Sequence, residues 1–207
     1  ARVWDADTGR EIFTFEGHSV GFSSDGERIV GCSRDGTARV WDADTGQETL
    51  ALQGHSGGVY SVNFSPSGKH IVGRGQDKTA QVWNADTGQE VFTIEGRSIG
   101  FSPDGKRLAG IDNNTVNVWD VQSGLEVFTL EGSAIDFSPD GKRIVTGSED
   151  KTVKVWDVQT GQEVLSLKGH LRRVLCVSFS PDGKQIVSGS FDGTARVWDA
   201  RSLAKSR

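Results

Sequence analysis

The stretch Arg143–Asp157 reads RIVTGSEDKTVKVWD. Two apolar runs flank the polar turn Glu-Asp-Lys-Thr, and after the turn Val153 and Val155 alternate with Lys154 and Trp156. Period-two alternation in Val- and Thr-rich runs marks half-buried strand, and a tight polar turn between two such runs marks a hairpin. The closing Trp-Asp lets the unit be found again. Tryptophan stands at positions 4, 41, 83, 119, 156 and 198, separated by 37, 42, 36, 37 and 42 residues, and Asp follows five of the six. Self-similarity at such a period governs the whole fold.

Each of the first five tryptophans is followed by a Gly turn such as Ala-Asp-Thr-Gly-Gln-Glu, then an apolar run ending in Gly, such as Val-Phe-Thr-Ile-Glu-Gly. Phe-Ser-Pro-Asp-Gly or a close variant comes next, as at Phe101, Phe137 and Phe179. Pro and Asp there suit a type I turn, and Gly takes the positive φ that follows. Every unit therefore predicts four short antiparallel strands. No segment of helical length shows a 3.6-residue period. A lone four-stranded sheet leaves a face bare, so the units must stack, and radial stacking gives a β-propeller.

Gly-His, then Phe-Ser-Pro-Asp-Gly, then Ser-x-Asp-x-Thr, then Val-Trp-Asp, all in fixed register, resembles the WD40 repeat family over essentially the whole chain. The expectation is an all-β propeller of four-stranded antiparallel blades, about five repeats, either a closed five-bladed ring or a fragment of a larger one. As one domain over residues 1–207, it begins with a partial blade at 1–17. Whole blades follow at about 18–53, 55–95, 97–131 and 134–168, and a last blade at 170–200 is completed by strand 11–16 as a latch. Ala1–Ala6 and Ala195–Ala200 are both Ala-Arg-Val-Trp-Asp-Ala, two copies of one strand for one slot. Such ends are what cuts in register through a longer array leave.

The resemblance also implies a hydrogen-bonded tetrad, His, Ser/Thr, Asp and Trp. Only the last unit carries all four, as His170, Ser188, Asp192 and Trp198. The first unit has His18, Asp35 and Trp41 with Gly31 at the hydroxyl position, and the second has His55, Asp77 and Trp83 with Gly73. The fourth has Thr146, Asp150 and Trp156 with Ser133 for His. The third has Arg97, Ala109 and Asn113 around Trp119. A half-satisfied buried network is costly, so the incomplete units, the third above all, are expected to be weaker. Three units also lack five residues between Gly-His-Ser and the Phe, which predicts a shortened innermost strand in each.

The formal net charge is −5, with acidic and basic residues interspersed. That pattern offers no basic footprint for nucleic acid. No apolar run approaches the roughly 18 residues that span a bilayer, so a membrane partner is not expected either. Cys32 and Cys176 stand alone without metal spacing and read as reduced thiols of a cytoplasmic protein. No nucleophile elbow, P-loop or dinucleotide fingerprint occurs, so no catalytic residue, metal or cofactor is assigned. The three Asp-Thr-Gly triplets at Asp7, Asp44 and Asp86 recur at one repeat position and read as hairpin turns.

What remains is a binding surface. The family's rim docks peptides or domains, which implies a non-enzymatic protein–protein interaction scaffold with a protein or peptide partner. Tyr60, Arg172, Arg173 and Phe191 fall at or near that rim, and these residue types favour interface hot spots. Alternatives are a sensory or regulatory propeller domain of a larger protein, or a designed or trimmed repeat array with no partner. A closed ring implies a monomer, an open one a homo-oligomer.

Overall fold

The computed structural model describes residues 1–96 and 98–201; Arg97, one of the positions weighed above, lies outside them. Contacts divide the chain into two compact units, Ala1–Arg97 and Ser98–Arg207. The first opens with β1 (Arg2–Trp4) and β2 (Glu11–Thr14), and continues with β3 (Ser19–Phe22), β4 (Arg28–Cys32), β5 (Ala38–Asp42) and β6 (Glu48–Leu52). It closes with β7 (Val59–Phe64), β8 (His70–Gly75), β9 (Thr79–Asn84) and β10 (Glu90–Glu95). The second holds β11 (Ser98–Phe101), β12 (Arg107–Asp112), β13 (Thr115–Asp120) and β14 (Glu126–Glu131), then β15 (Ala134–Phe137), β16 (Arg143–Gly147), β17 (Thr152–Asp157) and β18 (Glu163–Lys168). Its last strands are β19 (Val174–Phe179), β20 (Gln185–Ser190) and β21 (Ala195–Asp199).

Four sheets are four-stranded antiparallel meanders in chain order: β3–β6, β7–β10, β11–β14 and β15–β18. The turns are built as the sequence dictates. Gly105, Gly141 and Gly183 of the Pro-Asp-Gly turns sit at φ 69°, 69° and 68°. The Asp of Trp-Asp caps the turn that follows, Asp42 Oδ1 accepting from the Thr45 amide at 2.8 Å and its hydroxyl at 2.6 Å. Asn84 fills the same role after Trp83, its Oδ1 accepting the Thr87 amide at 2.9 Å. A short side-chain oxygen is what that turn requires. Trp-Asp is therefore a strand end joined to its own turn cap.

The inner strands of the three abbreviated units, β3, β11 and β15, are four residues long, against six for β7 and β19. Each keeps its pairing with the next strand, so the deletion trims the strand without removing it.

In the first unit β2 pairs with β1; in the second, β19–β20–β21 is a three-stranded sheet. Chain proximity favours the first of these pairings. β1 and β2 are joined by a turn in which the Thr8 amide donates to Asp5 Oδ1 at 2.7 Å, and the entropic cost of closing a loop grows with its length. Within the first unit the Arg-Val-Trp strand β1 thus holds β2.

Within each unit the sheets bury facing sides. In the first, Val30, Ala38, Val40 and Leu52 meet Val59, Val62, Ile71 and Trp83. In the second, Ala109, Val116 and Val118 meet Ile144, with Ile135, Phe137 and Trp156 packed alongside. Val145, Val153 and Val155 likewise meet Val174, Val177, Phe179 and Ile186. Residues opposite one another on paired strands share a face, which is why the valines come in register. Each fully buried Val contributes roughly 1.5–3 kcal/mol.

Candidate binding surface

The last sheet carries the tetrad that the sequence implies. The His170 ring lies between Asp192 and Ser188, Nδ1 at 2.9 Å from Asp192 Oδ2 and Nε2 at 2.8 Å from Ser188 Oγ. The Trp198 indole N–H donates to the same Ser188 Oγ at 2.8 Å. The bonds are consistent with one tautomer: Nδ1–H donates to the carboxylate, and the Ser188 hydroxyl donates to Nε2 while accepting from the indole. Asp192 also accepts the Leu171 amide at 2.8 Å and the Thr194 hydroxyl at 2.6 Å. The Thr194 hydroxyl first, then the Leu171 amide and His170, hold its carboxyl well below the usual carboxylate range.

These bonds tie two backbone segments together, the entry to β19 and the turn between β20 and β21. Phe191 N–H donates to the Arg173 carbonyl at 3.0 Å, and Ser190 Oγ lies 2.9 Å from the carbonyls of both Arg172 and Arg173. What the pinned segments display is a compact mixed patch. The Arg173 guanidinium stacks over the Phe191 ring, 4.3 Å from its centroid, and reaches Glu149 at 3.7 Å. Leu171 is 75 % exposed and Phe191 50 %. Among the described residues Arg172 has no carboxylate within ion-pair distance. Three of the four expected rim residues, Arg172, Arg173 and Phe191, are thus together, with Leu171 and Glu149 added.

Tyr60 belongs to the first unit, on β7, exposed, with the Arg74 guanidinium 5.9 Å from its ring centroid. Its surroundings follow the same plan with one substitution. His55 Nδ1 lies 3.0 Å from both Asp77 oxygens, and the Ser56 amide donates to Asp77 at 2.9 Å. Burial raises the Asp77 carboxyl, but donors from Thr79, His55 and Ser56 outweigh it and leave it well below the usual range. Where the last sheet uses Ser188, this one has Gly73. His55 Nε2 turns to the Gly73 carbonyl at 3.1 Å, and the Trp83 indole donates to the Gln53 carbonyl at 3.1 Å. The indole is therefore satisfied by backbone, while both His55 nitrogens face acceptor oxygens. Gly is required there because a Cβ on residue 73 would stand 2.6 Å from the Trp83 ring.

The other units diverge further. His18 Nε2 meets Cys32 Sγ at 3.9 Å, while Asp35 is held by Thr37 and Arg39. The Thr37 hydroxyl and amide lower Asp35 to about 2. Phe15 fills the space beside Gly31, its ring centroid 4.1 Å from that of Trp41. In β15–β18 the indole of Trp156 donates to Thr146 Oγ1 at 2.9 Å, and that hydroxyl donates to the Glu131 carbonyl at 2.8 Å.

Leu171 is the residue sequence reasoning missed. The signal was present: Gly-His is followed by Ser at 19 and 56 but by Leu at 171. Among the described residues no group of three His, Cys, Asp or Glu side chains is placed to hold a metal.

The family model described as WD domain, G-beta repeat matches the chain five times, at residues 9–42, 46–84, 88–120, 126–157 and 161–199. No curated protein matches it in sequence.

Proposed function

The chain belongs to the WD40 repeat family, and from that premise we propose that it is a non-enzymatic scaffold that captures a protein or peptide partner through the Leu171–Arg173 and Phe191 patch. WD40 repeats generally mediate protein–protein interaction. The observation that carries the reading is the Arg173–Phe191 stack at 4.3 Å beside exposed Leu171, on backbone fixed by the buried His170–Asp192 pair. A partly desolvated Arg and two apolar side chains suit a segment that offers a carboxylate next to an apolar anchor. Rigid presentation lowers the ordering cost of binding. Tyr60 with Arg74 is a second, smaller aromatic–cation surface on the first unit. The two free thiols, Cys32 buried and Cys176 exposed, support a reducing, cytoplasmic setting.

The test is a display screen of peptides with acidic and apolar residues interleaved, followed by affinity measurement on the best binder. Arg173→Ala combined with Phe191→Ala is expected to weaken it by about 2 kcal/mol or more, roughly thirty-fold. Tyr60→Ala on the other unit is expected to leave it unchanged. Equal affinity for parent and double variant overturns the assignment.

A further inference from the structure

Asp35, Asp77, Asp150 and Asp192 occupy one position, the turn between the second and third strands of their sheets, but two different chemistries hold them. Asp77 and Asp192 meet an imidazole, His55 and His170. Asp150 has none to meet, since Ser133 stands at the histidine position. Lys154, four residues further along, brings its Nζ to 3.2 Å from Asp150 Oδ2. Asp35 has a histidine that turns away: His18 faces Cys32, and Arg39, again four residues along, pairs with Asp35 at 3.1 Å. Where the imidazole does arrive, that strand position is put to other use. It is the uncharged Gln81 after Asp77, and Arg196 after Asp192 lies over the Trp198 ring, 6.0 Å from its centroid. Histidine and strand cation are thus alternative clamps for one turn. Lys154 also donates to Glu131 Oε2 at the end of β14, so it ties β15–β18 to β11–β14. Its side chain is only 12 % exposed, and three charges shielded in this way resist screening better than an exposed pair.

We propose that Lys154 is a positioning residue of the Leu171–Arg173 and Phe191 patch, acting through the turn Ser148–Lys151. The route is short. Asp150 Oδ1 accepts the Thr152 amide at 2.9 Å, and the Asp150 amide lies 3.2 Å from Ser148 Oγ. The Ser148 carbonyl accepts the Lys151 amide at 3.3 Å and, from the neighbouring sheet, the Val174 amide at 3.0 Å. Between Ser148 and Asp150, Glu149 reaches the Arg173 guanidinium at 3.7 Å. The turn therefore meets the patch twice, at the backbone of Val174 and at the side chain of Arg173. His170 and Asp192 fix one side of the patch, and Lys154 with Asp150 fixes the other. Glu149 then aims a guanidinium already stacked on Phe191, and an aimed guanidinium has less freedom to lose when a carboxylate arrives. The proposal rests on the patch reading for what is positioned, but the clamp on the turn stands without it.

The test compares the parent chain with Lys154→Met, which keeps a long stem and removes the charge, and with Lys154→Arg, which restores it. Residue-resolved amide exchange is the first readout. In Lys154→Met the Lys151 and Val174 amides are expected to exchange at least about tenfold faster, while Leu171, bonded to Asp192, and the core strand amides of Val145 and Val155 keep their rates. Lys154→Arg is expected to return Lys151 and Val174 to slow exchange. The second readout is affinity for the acidic–apolar peptide selected on the parent, expected about fivefold weaker with Met and near the parent value with Arg. If Lys154→Met does not fold, Asp150→Asn replaces it, keeping an oxygen for the Thr152 amide while removing the ion pair, with the same changes expected. Unchanged exchange at Lys151 and Val174, loosening of the whole sheet, or failure of Arg to restore the parent overturns the proposal. So does a peptide that binds the parent and a loosened Met variant equally well, which leaves the patch reading standing. If no peptide binds the parent, the patch reading falls, and exchange at Lys151 and Val174 still decides whether Lys154 fixes the turn.

Discussion

The sheets β7–β10 and β19–β21 have the same full-length inner strand and the same His–Asp pair, yet they close their networks differently. In the last sheet a serine side chain links imidazole to indole. In the second, Gly73 offers only its carbonyl, and the indole finds Gln53 instead. The comparison teaches that the His–Asp pair is the constant and that the hydroxyl can be replaced. The pair joins strand entry to turn in both, through the Leu171 and Ser56 amides. The third partner varies with how closely the Trp approaches the strand.

The largest expected effect is from Ser188→Ala. It leaves His170 Nε2 and the Trp198 indole without their partner in a site where Ser188 and His170 are buried. A loss of about 2–3 kcal/mol is expected in urea unfolding; a loss near zero means backbone or water has taken over, as at Gly73. Next is Gly73→Ser, which by sequence logic should repair the second tetrad. The structure predicts the reverse, a loss of about 2 kcal/mol, because the added Cβ overlaps the Trp83 ring. A stabilised variant would erase the distinction between the two sheets.

A third consequence is acid sensitivity. Asp77 and Asp192 are held below their unfolded values, so their contribution is present above about pH 4, the unfolded carboxylate value, and is lost as pH falls through the lower folded value. Stability should fall between about pH 4 and pH 2, with a shallower slope in Asp192→Asn, measured as urea midpoint against pH. The smallest effect concerns the turn between the second and third strands. Gly193 sits there at φ 81° in the last sheet and Lys78 at φ 66° in the second. Lys78→Gly should raise stability by about 0.5–1 kcal/mol, since a left-handed backbone strains a residue with Cβ.

The fold was legible because its punctuation is chemical. Asp42 and Asn84 cap one turn type, and Gly105, Gly141 and Gly183 take the φ of another, so strands are bounded by residues that can do nothing else as well. The last tetrad was legible because all four side chains are present. The substitute bonds at Gly73 and Gln53 were not, since every residue carries a carbonyl and only coordinates say which one a ring reaches. The sequence offers β2 two identical Arg-Val-Trp strands, at Arg2–Trp4 and Arg196–Trp198. Leu171 was overlooked because a single exposed Leu is ordinary until its neighbours are known to be Arg173 and Phe191 on pinned backbone.

The claim on which the account turns is that the buried His170–Asp192 pair holds the patch in place. Residue-resolved amide exchange of the chain and of Asp192→Ala tests it most directly. The account predicts that the Leu171 and Phe191 amides exchange slowly in the parent. In the variant both should exchange at least about tenfold faster, while β11–β14 keeps its protection. Unchanged rates at Leu171 and Phe191, or equal loosening of every sheet, would contradict it.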